Sequence, residues 1–232
     1  MTSPISFTTL IDKIEDITAS TVASTVALAD RIRESITSGQ KASAEMLLEP
    51  AVKATIQGHI QHTLHHNRYC SGAGFASHIE SSPTTSEYWL LEWWFKKANG
   101  MQQVNLDLDQ ATQQRLDFRT FEWFKHTPSV GKACIHGPYV DYVCNTAYTL
   151  TSAVPVYSNG QFLGVAAIDM LVGQIEEELL SCRPPAKVVL TNRDRRIIFS
   201  TEPRFRVGNL LTTLPATVLH QSDYFILYQC DN

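Results

Sequence analysis

From Ser6 to Ile36 apolar residues recur at Phe7, Leu10, Ile11, Ile14, Ile17, Val22, Val26, Leu28, Ile32 and Ile36, mostly three or four apart. That period predicts one long amphipathic helix, with Ser3-Pro4 as its start signal and Gly39 as its stop. A second helix is predicted from Ala42 to about His66, with Pro50 as a kink or a new first turn. Together they read as a helical hairpin or a dimerisation stalk.

After Asn67 the texture changes. Gly72, Gly74, Ser81-Ser82-Pro83 and Asn99-Gly100 punctuate short segments, and strand-like runs dominate. Residues 142–156 are rich in β-branched side chains, and Tyr157-Ser158-Asn159-Gly160-Gln161 predicts a turn into a strand over 162–170. Asn-Gly tolerates positive φ, so this pair predicts a β-hairpin. Helix returns over 171–180 and stops at Pro184-Pro185. Strands over 187–191 and 196–200 then flank a turn at 192–195, and the run 224–228 closes the sheet. An antiparallel sheet with helices on one side and a long leading helix is an α+β plan.

Composition narrows the function classes. Hydrophobic residues make up 44% and charged residues 18% of 232 positions, the balance of a globular protein. The net charge is −4, from 19 Lys+Arg against 23 Asp+Glu, and no basic block is present, which argues against direct nucleic-acid binding. The run from Ala19 to Ala29 is broken by Ser20, Thr21, Ser24 and Thr25, so no membrane span is expected. The N-terminus lacks a positive segment followed by an apolar core, and a cytoplasmic location is the expectation. Five cysteines without C-x-x-C spacing suggest reduced thiols and neither a disulfide framework nor a zinc knuckle.

Three groups of residues carry candidate chemistry. His59, His62, His65 and His66 share a predicted helix, three of them along one face, which is either a metal-ligating face or a titrating surface. Cys134 or Cys144 with His136 or His126 is a candidate thiol or metal hydrolase pairing that needs hydrogen-bond reach to count. Tyr88, Trp89, Trp93, Trp94 and Phe95, followed by Phe118, Phe121, Trp123 and Phe124, hold all 4 tryptophans of the chain. Such a concentration is either plain core or, beside a carboxylate, a site for an ammonium group.

The motifs Arg119-Thr120-Phe121-Glu122-Trp123-Phe124, Gly137-Pro138-Tyr139-Val140-Asp141, Thr151-Ser152-Ala153-Val154-Pro155-Val156 and Gly160-Gln161-Phe162-Leu163-Gly164-Val165-Ala166-Ala167-Ile168-Asp169 follow in order. In that order they resemble the core of a Cache (PDC-type, PAS-like) sensor domain. Residues 188–201 and 207–211 are similar to its closing strands. The resemblance covers about 35–211 and implies a PAS-like antiparallel sheet flanked by helices, with residues 1–40 as an N-terminal, possible dimerisation helix and 41–232 as the sensor domain. It implies small-molecule binding without catalysis and without a cofactor.

In the amino-acid-sensing members, a Tyr, an Arg and a Trp-Tyr pair hold the ligand carboxylate, while a Tyr-x-Asp and a final Asp hold its ammonium group. This chain is similar at Trp123, Tyr139, Asp141 and Asp169. It departs at the carboxylate half, where Phe121 replaces the Arg, Leu116 the first Tyr and Phe124 the second aromatic hydroxyl. Loss of the guanidinium fork points to an amine, with Arg119 as the residue that would keep an amino acid in play. The resemblance thus implies a sensor whose amine is caged by Trp123, Tyr139 and aromatics from Tyr88 to Trp94. Signalling would run through a separately encoded regulator, with a homodimer built on the long helix. A ligand-free interaction module is the alternative. For each site residue a purely structural role stands beside this one: Trp123 packing, Tyr139 and Asp141 capping a turn, Asp169 capping the helix that follows it.

Overall fold

A computed structural model describes residues 6–37, 44–79, 87–104, 117–213, 215 and 217–230. The start signal at Ser3-Pro4, the stop at Gly39, the Ser81-Ser82-Pro83 break and Leu116 lie outside them. Helix α1 spans Thr8–Thr37, as its apolar period requires. A 3-10 turn at Ala44–Leu48 precedes α2, Pro50–His66, in which Pro50 occupies the first turn. Proline is tolerated there because that N–H has no partner within the helix. Val52, Ile56, Ile60 and Leu64 form the buried stripe of α2.

Strands β1 (Gly72–Ile79), β2 (Tyr88–Lys97) and β3 (Gly100–Gln103) come next. Two short helices follow, α3 (Glu122–Lys125) and α4 (Thr127–Val130). Strands β4 (Cys134–Asp141), β5 (Ala147–Ser158) and β6 (Gln161–Leu171) complete an antiparallel sheet of order β3-β2-β1-β6-β5-β4. The β5–β6 turn is the expected one, with Asn159 at φ 51° and Gly160 at φ 79°. Residues 142–146 form a turn, not the start of a strand: Thr146 N donates to the Asp141 carbonyl at 2.7 Å, and Thr146 takes φ 53°.

Helix α5 (Val172–Ser181) then leads to β7 (Val188–Asn192), β8 (Ile197–Ser200), β9 (Thr217–Gln221) and β10 (Phe225–Gln229). These make a second antiparallel sheet, β8-β7-β10-β9, where the sequence pattern suggested a single one. The apolar stripe of α5, Ile175 and Leu179, lines a small apolar gap with Leu190, Ile198 and Phe225. That surface gives the late strands a core of their own. The α+β, PAS-like class holds.

The chain divides into two compact units. The first comprises Met1–Ser20, Gly137–Leu150 and Met170–Asn232; the second comprises Thr21–His136 and Thr151–Asp169. The core of the second unit joins Leu28, Ile32 and Ile36 of α1 to Ile56, Ile60 and Leu64 of α2, together with Ala73, Phe75, Leu90, Ala166 and Ile168 of the sheet.

Candidate functional site

The side chains of successive strand residues point to opposite faces. In the second unit Ala73, Phe75, Leu90, Ala166 and Ile168 join the helix-packed core. Gly72, Gly74, Trp93, Ala167 and Asp169 therefore present the other face. Across strands Gly72 pairs with Asp169, and Gly74 pairs with both Trp93 and Ala167.

The two glycines make room for an indole. A Cβ on Gly74 would stand 2.3 Å from Trp93 Cε3, so the ring lies directly on the bare backbone. Beside it, a Cβ on Gly72 would stand 3.2 Å from Trp93 Nε1 and 3.4 Å from Asp169 Oδ2. Trp123, carried by α3, packs on Trp93 with ring centroids 5.8 Å apart. Trp93, Trp123 and Asp169 are 5%, 4% and 3% exposed, and Trp93 Nε1 has no hydrogen-bond partner in the protein.

Asp169 is held from two sides. Thr151 Oγ1 donates to its Oδ1 at 2.6 Å, a charge-assisted bond, and its carbonyl accepts from Ser71 N and Oγ at 2.8 and 3.0 Å. It does not cap α5: Leu171 is the N-cap residue there and makes no side-chain cap bond. The carboxylate is thus fixed on an aromatic, largely desolvated face, an environment that favours a cationic partner.

The remaining expected residues divide. Tyr88 and Trp94 pack against the helix-side core, because their strand parity is that of Leu90 and not that of Trp93. They do not join the aromatic face around Asp169. Arg119 is committed elsewhere, its guanidinium 3.3 Å from the centre of the Trp89 ring. Its Nε and Nη2 donate to the two oxygens of Asp117 at 2.8 and 2.9 Å, and Nη1 lies 3.3 Å from Glu87. The hydrogen bond from Arg119 holds the Asp117 carboxyl below its usual range, and bonds from Trp89 and His78 do the same for Glu87. This cluster fastens the segment carrying Trp123 to β2.

Phe121 lies 6.1 Å from Trp123 ring to ring, and Phe124 packs edge-on to Phe118 at 4.9 Å and Phe162 at 6.2 Å. Phe124 is therefore a packing residue with no polar atom to offer. Tyr139 and Asp141 belong to the first unit, whereas Trp123 and Asp169 belong to the second. The Asp141 carboxylate accepts from Val143 N at 2.9 Å and Cys144 N at 3.2 Å, so it caps the turn after β4.

Other chemistries find less support. Burial pushes the Cys134 thiol above its ordinary range, the opposite of an activated nucleophile, and Cys134 donates to the Lys132 carbonyl at 3.5 Å. His136 Nε2 lies 3.2 Å from Thr127 Oγ1. His62 and His66 stack at 3.9 Å, but among the described residues no three His, Cys, Asp or Glu side chains gather as a metal site. No helix among the described residues is long and apolar enough to cross a membrane.

No family model matches the chain, and no curated protein matches it in sequence. Solved structures do match it in fold. The extracellular domain of a protein assigned as the histidine kinase soHK1S-Z6 superposes with TM-score 0.63 at 16% identity, over 84% of this chain and 68% of the other. The ligand-binding domain of the Campylobacter jejuni chemoreceptor Tlp3 in complex with L-valine gives 0.60 at 14%, over 91% and 73%. That of the Pseudomonas aeruginosa PAO1 amino acid chemoreceptor PctC in complex with GABA gives 0.51 at 14%, over 91% and 92%. The likeness bears out the Cache resemblance at the level of architecture: this chain has the PAS-like α+β fold of chemoreceptor and kinase sensory domains.

Proposed function

We propose that the chain is a sensor domain that binds a small cationic amine or amino-acid-like metabolite and reports it through contact with a separate regulatory protein. The observation that carries this reading is the Asp169 carboxylate, 3% exposed on a face shared with Trp93 and Trp123. A buried carboxylate beside indole rings recognises an ammonium group by charge and by cation–π attraction. The Tlp3 and PctC neighbours were solved with valine and GABA, both amino acids. The long α1 is the proposed surface for a homodimer or for the regulator.

A thermal-shift screen of the whole chain against amines, quaternary ammonium compounds and amino acids tests the reading. A ligand at about 100 times its dissociation constant stabilises by ~2.7 kcal/mol. Amine hits that disappear in Asp169→Asn support it. A silent screen returns the chain to a ligand-free interaction module. The histidine-kinase neighbour is an extracellular domain, so cell fractionation decides between the proposed cytoplasmic location and an external one.

A further inference from the structure

Trp93 Nε1 is the least explained polar atom near Asp169. It is buried, it has no hydrogen-bond partner in the protein, and it lies against Gly72 on the same side as Asp169 Oδ2. Both atoms stand close to the point where a Gly72 Cβ would be, at 3.2 and 3.4 Å, so they are neighbours within the span of one small molecule. A buried donor without a partner costs free energy that a bound acceptor recovers. Trp94 Nε1 is also unpartnered, but it belongs to the helix-packed face.

The charge of that acceptor is decided by its neighbours. An indole N–H is a neutral donor. A ligand carboxylate placed on it would face Asp169, and Arg119, the cation the sequence offers for such a carboxylate, is already bonded to Asp117 and stacked on Trp89. Like charges at close range in a desolvated site repel strongly. A hydroxyl or amide oxygen takes the hydrogen bond without that cost.

We propose that Trp93 Nε1 donates to a neutral oxygen of the ligand whose ammonium group sits at Asp169, which makes the ligand class a small amino alcohol or amino amide. The proposal rests on the amine-binding reading above and assigns its specificity. Trp93 belongs to the aromatic run but to none of the motifs that carry the family resemblance.

The test is calorimetric titration of the whole chain with two probe pairs of matched shape: 1-amino-2-propanol against isobutylamine, and L-alaninamide against L-alanine. The oxygen-bearing amine is expected to bind about tenfold more tightly than isobutylamine, the worth of one hydrogen bond. L-Alaninamide is expected to bind more tightly than L-alanine. In Trp93→Phe, which keeps a ring and removes the N–H, the ratio of the two affinities should fall to about one, whatever change in amine affinity the two probes share. Equal affinities within the first pair, a reversed order in the second, or a preference that survives in a folded Trp93→Phe overturns the proposal. Isobutylamine binding that is lost in Asp169→Asn leaves the amine site standing in each of those cases. Failure of both amines to bind the parent overturns the site and the proposal together. The parent comparison needs no variant, so it decides even if Trp93→Phe does not fold.

Discussion

A carboxylate on a buried aromatic face draws its effect from what surrounds it. Asp169→Asn keeps the shape and the Thr151 contact but removes the charge, so amine binding should fall by at least a hundredfold, consistent with the ~3–5 kcal/mol of breaking a buried pair. Titration calorimetry reads this directly. Gly74→Ala should destabilise the fold by about 1–3 kcal/mol, because the new methyl meets both the Trp93 ring and, at 2.5 Å, the Glu92 carbonyl. Urea unfolding measures the loss. Asp169 was legible in the sequence because a run of small and apolar residues ends in one acid. The choice between Trp93 and Trp94 was not legible. Adjacent strand residues differ only in face, and α2, through Gln57 and Lys53 on Glu92, decides which face is covered.

At the scale of elements, most of the fold is written in local pattern. The α1 stripe and the Asn159-Gly160 turn follow from period and turn chemistry and stand in the structure, whereas the second helix starts at Pro50 and not at Ala42, so of the two readings of Pro50 the new first turn holds. Gly160→Ala should cost about 1–2 kcal/mol, a backbone cost alone, since nothing lies within 4 Å of the added methyl. A shift in urea midpoint without a change in slope is the expected signature. Strand β9 leaves no mark in the sequence pattern because none of its five residues is buried, so it lacks the apolar alternation of a half-buried strand. The division into two sheets has no local signal either, because strand partners distant in sequence are not marked by pattern.

For the molecule as a whole, solution conditions give two further readings. Hydrogen bonds from Lys187 and Arg204 hold the Glu202 carboxyl at about 2, below its ordinary 4.5. Its stabilising contribution is therefore complete above pH 4.5 and is lost as pH falls toward 2. Glu202→Gln should flatten the acid limb of the stability curve in that window and lower stability at neutral pH, as unfolding across pH 2–7 would show. Cys70 is buried with its thiol pushed up to about 12, and Cys230 is buried as well. Alkylation of the native chain at pH 7 should label Cys134, Cys144 and Cys182 and spare these two, which mass spectrometry resolves. The glycine bed under Trp93 also gives the chain a mutational history with a direction. The three atoms nearest a methyl at position 72 belong to the Trp93 and Asp169 side chains, whereas a methyl at 74 stands 2.5 Å from the Glu92 carbonyl. A lineage that first shrinks the indole opens position 72 to substitution, while position 74 stays closed whatever came before. New ligand preferences should arise in that order, ring before floor, and the reverse order passes through a chain that no longer holds its indole in place.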